Sequence, residues 1–301
     1  MPVTAAAARA IAQWAYLFTY PLARNYARMY TQAIDPSAWS DGDGFGRWLQ
    51  HRPQPSPTTL DPALVETAPH SSLWLDVRAE PWVIAIPATG PVAGHTLRIV
   101  DLWTFVIDQF DADAVGSDVL VASPTWEGRF ADRVGRVVTG ESAFLHLEVR
   151  LPGRAPAGQP ELRPGRCCTA KPLSAHLGRP SPAPAPPVPW WPCPSDVGTT
   201  DEFWSVASFA LSLTTPHPED RILVERMAEI GLVAGRPWPA RPLGPDVVEA
   251  VGEGMDEAIT MLMRAASPTV DPASTDRSRE DTDRDYFGRA LRALRRHGTE
   301  S

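Results

Sequence analysis

Histidine, serine and aspartate side chains lie close together in one stretch of the chain, where His70, Ser71, Ser72 and Asp76 occur within seven residues. Such groups can supply the base, nucleophile and acid of a hydrolase, so His70 and Ser71 are candidate catalytic residues. Successive side chains of a strand point to opposite faces, and the two would meet only across a bulge. The chain also lacks a G-x-S-x-G elbow. Hydrogen bonding at a strand end is the competing interpretation.

Asp101 is the first-ranked candidate for a catalytic acid. In a regular strand it would point away from Arg98 and share a face with Leu97 and Ile99. A carboxylate facing the interior needs hydrogen-bond partners, because burying an unpaired charge is costly. This requirement leaves both a structural and a catalytic role open. The candidate binding residues, which include possible partners of Asp101, are His51, Arg52, Asp76, His95, Arg98 and Trp103.

The histidines and cysteines do not form a metal-binding signature. The spacing of His51, His70, His95 and His146 matches no local zinc motif, and neither does that of Cys167, Cys168, His176 and Cys193. The acidic, glycine-rich run at 41–44 has Arg52 where a calcium loop needs its twelfth-position glutamate. We therefore predict no metal site, and the residues indicate no particular cofactor.

The elements that position these side chains are short strands. Alternating or β-branched runs predict strands at 73–77, 82–86, 96–100, 118–122, 134–139 and 143–149. The turn-rich connections predict that the first three form an antiparallel meander, and residues 108–116 are interpreted as an acidic connector. The fold class expected is α+β: an antiparallel β-sandwich or barrel-like domain with an N-terminal helix, followed by a small helical region.

Outside the strands, apolar spacing predicts a helix over 4–34 that Pro21 kinks or splits. Residues 152–194 contain 13 prolines, a density that favours extended polyproline segments over helix and central strand. This segment is interpreted as a linker or a draped arm, with a recognition peptide as the alternative. Three helices are predicted after residue 199: one from 200 to about 213, one from 218 to 230 that Gly231 ends, and one from 245 to at least 262. Disorder is predicted over 267–285, followed by a short helix over 286–297 with apolar residues on one side. The predicted division is 1–150, 151–198, 199–266 and 267–301.

Composition narrows the function classes. A net charge of −8 argues against binding to duplex nucleic acid, which requires a basic surface. The chain has no run of apolar residues long enough to span a bilayer, and its alanine-rich start lacks the basic region of a signal peptide. Three cysteines, two of them adjacent, favour a reducing compartment. We therefore expect a cytoplasmic protein without membrane or nucleic-acid partners.

Six motifs in order resemble the family named domain of unknown function 1254 (DUF1254). They are AYLFTYPL at 15–22, HRP at 51–53, SSLWLDV at 71–77, EPWVI at 80–84, DLWT at 101–104 and SPTWEG at 123–128. The resemblance covers residues 12–150, and the stretch 201–263 is similar to the segment that follows in the family. The resemblance ranks Asp101 first among the candidate site residues, because Asp101 lies in the DLWT element that this chain retains.

Two departures from the family pattern bear on function. ETAPH at 66–70 replaces the family's polar N-x-D-T-x-Y run, and the chain stops where a second domain, DUF1214, usually begins. The retained Asp101 favours an enzyme or binder acting on a small organic molecule in a pocket of the β domain. The departures favour a non-catalytic, shortened paralogue acting as a protein-interaction partner, as a homo-oligomer or with a full-length relative.

Overall fold

The computed structural model describes residues 3–38, 44–51, 70–85, 96–111, 118–128, 134–150, 168–194, 196–200, 202–266 and 285–297. The described residues fall into two compact units. The first contains those up to Tyr30 and from Trp191 onward, and the second contains those from Thr31 to Trp190. The predicted disordered segment 267–285 lies outside the described residues except at its last position.

The second unit is built from nine strands. They are β1 (Leu49–His51), β2 (His70–Asp76), β3 (Trp82–Ala85), β4 (Thr96–Asp101), β5 (Val106–Asp111), β6 (Asp118–Ala122), β7 (Val134–Thr139), β8 (Phe144–Arg150) and β9 (Thr169–Pro172). One sheet has the order β1-β2-β8-β4-β5 and is antiparallel throughout, and the other has the order β7-β6-β3-β9. Both sheets contribute apolar side chains to one core, so the unit is a β-sandwich.

The core follows from alternation along the central strands. Leu73 and Leu75 of β2, Leu97 of β4 and Leu147 of β8 point to the same side, where they pack with Val119 and other buried residues of the second sheet. Each strand of the first sheet therefore has a second face, which we call the outer face and on which Trp74 lies. Trp74 is 1% exposed, so this face is covered as well on the central strands around Trp74.

The meander prediction was wrong. β2 and β4 both pair with β8, whereas β3 lies in the other sheet between β6 and β9. β6 and β7 are parallel, and the described residues 123–128 that follow β6 contain no helix. The alternation of a strand specifies which residues share a face but not which strand pairs with it, so pairing was assigned from chain order alone.

Three strands were not predicted, for related reasons. β1 and β9 have short or proline-containing sequences, and β5 runs through Asp108 and Asp111, which were interpreted as a connector. All three lie at sheet edges, where one side needs no partner and charged or proline residues are tolerated. After β9, Leu173–His176 forms the one-turn helix α2, although helix was not expected here. Pro172 precedes its first residue, a position at which proline costs no helical hydrogen bond.

The first unit is helical. α1 (Ala5–Met29) begins at Thr4, whose hydroxyl accepts the N–H of Ala7, and the helix passes through Pro21 without being split. A π-helical turn, Tyr30–Ile34, follows it in the chain. The later helices are α3 (Phe203–Leu211), α4 (Arg221–Met227), α5 (Pro245–Ala266) and α6 (Tyr286–His297), close to their predicted ranges.

The helices of this unit pack through aromatic rings and small residues. Tyr16 of α1 contacts the ring of Phe203 at 4.5 Å and donates a hydrogen bond to the carbonyl of Gly198 at 2.5 Å. On the surface, Arg9 of α1 pairs with Glu253 and Glu257 of α5. Among the helices of the described residues, none is both long enough and apolar enough to cross a membrane.

The expected α+β class is confirmed, with an N-terminal helix, a β-sandwich and further helices. The second sheet is mixed rather than antiparallel because of the β6–β7 pair. The predicted division into four segments remains a prediction.

Candidate functional site

Asp101 closes the turn between β4 and β5. Its carboxylate accepts the backbone N–H of Phe105 at 2.9 Å, and its own N–H donates to the Phe105 carbonyl at 3.0 Å. The Asp101 carbonyl accepts the N–H of Thr104 at 3.0 Å. Thr104 has a φ of 69°, which a β-branched residue rarely adopts, so the surrounding bonds must hold it there. Asp101 is 1% exposed, and these contacts describe a turn-forming aspartate.

The rest of the DLWT element is also tied to the sheet. The hydroxyl of Ser142 accepts the N–H of Leu102 at 3.1 Å and donates to the carbonyl of Phe144 at 2.6 Å. Leu102, Trp103 and Ser142 are all buried. Ser142 was not predicted to be important, because a lone serine between two strands gives no sequence signal of what it will bridge.

Ser71 and His70 lie on opposite faces of β2. The register with β8 is unbroken from His70 to Asp76, so no bulge turns the two side chains toward each other within these paired residues. The Ser71 hydroxyl donates to the amide oxygen of Gln50, which lies opposite it on β1, at 2.7 Å. Ser71 is fully buried and its proton is directed at an amide, which is not a base.

Asp76 forms a local ion pair with Arg78. The guanidinium reaches both carboxylate oxygens, at 2.9 Å from Nε and 2.6 Å from Nη2, and the Arg78 N–H adds a third bond at 3.1 Å. The same guanidinium lies over the ring of Phe144 at 5.1 Å and donates to the carbonyl of Pro186 at 2.8 Å. Asp76 therefore fixes the chain where it leaves β2 and orients Arg78 toward the proline-rich segment.

Arg98 belongs to a buried polar cluster on the outer face. Its side chain lies 3.7 Å from Glu148, and Glu148 lies 3.4 Å from Nδ1 of His146. Ser72, Glu148 and Arg98 are directly opposite one another on β2, β8 and β4. We call Ser72, Arg98, His146 and Glu148 the outer-face cluster. Every member is less than 7% exposed.

The electrostatics of the outer-face cluster follow from its burial. Charges taken out of water must be paired, and here the carboxylate of Glu148 lies between a guanidinium and an imidazole. The imidazole ring of His146 packs against Trp74 at 4.6 Å. Glu148 was not a predicted site residue, because polar residues alternating with Leu145, Leu147 and Val149 are typical of a solvent-facing side. These charges become informative about a site only because the outer face is covered around them.

Other predicted residues are not assembled into this cluster. Asp101 is opposite Leu145 in the register, on the core side, whereas Arg98 is on the outer face. Arg52, His95 and the calcium-like run at 41–43 lie outside the described residues, and the side chain of His51 is not described either. Within the described part of the chain, no three His, Cys, Asp or Glu side chains are grouped so that they could hold a metal ion.

Comparisons with known proteins connect this arrangement to a family without an assigned activity. Residues 50–152 match the model of the family described as "Protein of unknown function (DUF1254)". No curated protein matches the chain. The crystal structure of the VPA0106 protein from Vibrio parahaemolyticus is similar over 95% of this chain, with a TM-score of 0.66 and 19% identity. The likeness shows the fold alone, and this chain spans 65% of the length of that protein.

The matched residues 50–152 include strand β8, its two neighbours β2 and β4, and the turn that Asp101 closes. They hold five of the six motifs in full, from HRP to SPTWEG. The resemblance to the DUF1254 family that these motifs predicted is thereby confirmed for residues 50–152.

Proposed function

We propose that this protein is a non-catalytic binding protein, which acts by associating with protein partners and not by turning over a substrate. One observation carries the proposal. Of the hydroxyl and carboxylate groups that suggested hydrolysis or acid catalysis, those of Ser71, Asp76 and Asp101 are each bonded to a structural partner.

Catalytic groups must reach a substrate. A nucleophile needs a base within hydrogen-bond distance, and a general acid needs a path to the reacting atom. The hydroxyl of Ser71 is directed at Gln50 and fully buried, and the carboxylate of Asp101 is directed at its own turn. Asp76 is neutralised by Arg78 through two side-chain contacts. These bonds give all three residues a sufficient role in folding.

The partner that we propose is a second copy of this chain or a longer relative of the same family, in the cytoplasm. The compartment rests on the cysteine content, since three cysteines, two of them adjacent, favour a reducing environment. Exposed apolar side chains such as Ile222 and Met263 occur on α4 and α5, and apolar surface is the usual material of protein interfaces.

Sedimentation velocity of the purified full chain tests this proposal, alone across the micromolar range and mixed with a family member that contains both domains. We expect a species heavier than the monomer in at least one of the two series. A strict monomer in both series would contradict association with these partners.

A small organic ligand is the second candidate function, and the outer-face cluster favours it. Buried ionisable groups with specific charge partners concentrate at functional sites, although structural networks share this property. Within the cluster, Arg98 is the group that would bind the carboxylate of such a ligand. Thermal denaturation with a panel of small hydroxy acids tests it: a ligand that raises the melting temperature of the wild type and not of Arg98→Met supports the site, and a flat response across the panel argues against it.

A further inference from the structure

The segment 179–190 is an extended proline-rich stretch on the surface of the sandwich unit. Its sequence, RPSPAPAPPVPW, has proline at six of twelve positions, and all six are exposed. It contains no helix and pairs with no strand. Proline fixes φ near −65° and has no N–H, so this backbone is confined to polyproline II and related extended conformations. We call residues 179–190 the proline arm.

Over residues 183–189 the exposure of the proline arm follows a three-residue period, as a polyproline II helix requires. Ala185 and Val188, three residues apart, are only partly exposed and form the ridge turned toward the protein. Pro184 and Pro187, on the next ridge, are exposed, and so is Pro186 on the third. Pro184 and Pro187 therefore form a P-x-x-P spacing along one outward ridge, and Pro186 and Pro189 repeat it along the other.

The arm is held in place at several points. Before it, the N–H of Arg179 donates to the carbonyl of Ser174 at 2.8 Å, and Ser174 is bound by Glu80 through its hydroxyl at 2.8 Å. In its middle, Arg78 binds the carbonyl of Pro186 at 2.8 Å. At its end, the ring of Trp190 packs edge-on against Phe144 at 5.4 Å. These contacts leave Pro184 and Pro187 exposed.

We propose that the proline arm is a docking segment for a partner protein whose polyproline-binding groove is lined by aromatic side chains. Such grooves take up the two ridges of a P-x-x-P segment, and a segment already extended loses little conformational entropy on binding. The anchors at Arg78 and Trp190 keep this segment ordered without covering its outward ridges. The inference goes beyond the proposed function, because the arm would engage a third protein and is independent of self-association.

The test measures binding of the full chain to three purified groove domains, an SH3, a WW and an EVH1 domain, by isothermal titration calorimetry. We expect at least one to bind, with an affinity that falls at least about tenfold in Pro184→Ala/Pro187→Ala, a loss of 1.4 kcal/mol or more. The matched control is Pro180→Ala/Pro182→Ala, which removes two exposed prolines of the arm outside the P-x-x-P pair. Binding in this control should stay within about twofold of the wild type, by the same conversion of fold-change to free energy.

Two further measurements, thermal melting and sedimentation, distinguish a loss of groove binding from a loss of folding or of self-association. The thermal midpoints of both double variants should equal that of the wild type, because the substituted rings are exposed. Their sedimentation should be unchanged as well, so loss of groove binding with intact self-association identifies the arm alone. The proposal is overturned if no groove domain binds the wild type, or if both double variants lose binding equally.

Discussion

Asp101 and Phe105 are joined by two hydrogen bonds: the N–H of Phe105 donates to the Asp101 carboxylate at 2.9 Å, and the N–H of Asp101 donates to the Phe105 carbonyl at 3.0 Å. This pair closes the four-residue connection, 102–105, between β4 and β5 and holds Thr104 at positive φ. A residue ranked first for catalysis thus has a specific structural task.

Asp101→Ala should lower the free energy of unfolding by about 1–3 kcal/mol, because the N–H of Phe105 loses its acceptor. Asp101→Asn keeps an oxygen at the same place and should cost less. Urea denaturation at neutral pH measures both. The matched control is Asp111→Ala, which removes an exposed aspartate from the end of β5. Equal stability of Asp101→Ala and Asp111→Ala would contradict the role of the turn.

Glu148→Gln should be strongly destabilising, by about 3–5 kcal/mol, because it leaves the buried charge of Arg98 without its carboxylate. The double variant Arg98→Met/Glu148→Leu should lose less than the sum of its two single changes, since it removes both charges together. Chemical denaturation of the wild type, Arg98→Met, Glu148→Leu and the double variant gives the coupling energy. The comparison pair is Arg221 and Glu225 on α4, which is exposed and should show no measurable coupling. Similar coupling in the two pairs would mean that the outer-face cluster is solvated.

Gly254→Ala and Gly252→Ala should shift stability in opposite directions. A Cβ at Gly254 would lie within 2.9 Å of the Ala12 Cβ and still nearer the carbonyl of Arg9, so α5 could not keep its distance from α1. A Cβ at Gly252 meets nothing within 4 Å, and alanine there should stabilise the helix by about 0.5–1 kcal/mol. Thermal melting compares the two. Stabilisation of both variants would show that the helices are not in close contact at Gly254.

Burial raises the pKa of the Cys193 thiol to about 12. The thiol should therefore stay unmodified by iodoacetamide at pH 8 in the native protein and react in denaturant, because the thiolate is the reactive form. Peptide-resolved mass spectrometry distinguishes it from the other two cysteines. Rapid native labelling of Cys193 would show that this thiol is accessible.

The same shift implies a pH dependence of stability. Because the pKa is higher in the folded than in the unfolded chain, the contribution of Cys193 is complete below the ordinary thiol pKa and is lost as pH rises from there to about 12. Cys193→Ala should flatten this part of the stability profile. An unchanged profile in the variant would assign the alkaline loss to other groups, such as Tyr16 and Tyr26, whose pKa values burial also raises.

Local chemistry was enough to predict several elements from the chain. Apolar spacing predicted α1 and α5, and alternation predicted β6 and β7 with their observed ends. Gly231 was predicted to end a helix, and it has a φ of 78°. Each of these features depends on residues that are close together in the chain, so the local sequence is enough to predict it.

The sequence by itself determined which faces of the strands are apolar, that Arg98 and Asp101 point apart, and that six motifs of the chain resemble the DUF1254 family. Only the tertiary structure decided that β8 lies between β2 and β4. Strand pairing joins residues far apart in the chain, and the alternation of apolar residues along a strand does not specify which strand will pair with it. That pairing places Glu148 beside Arg98 and buries both. It likewise assigns Ser71 to Gln50 and Asp101 to its own turn, since a polar group taken out of water bonds to whatever donor or acceptor the fold brings within reach.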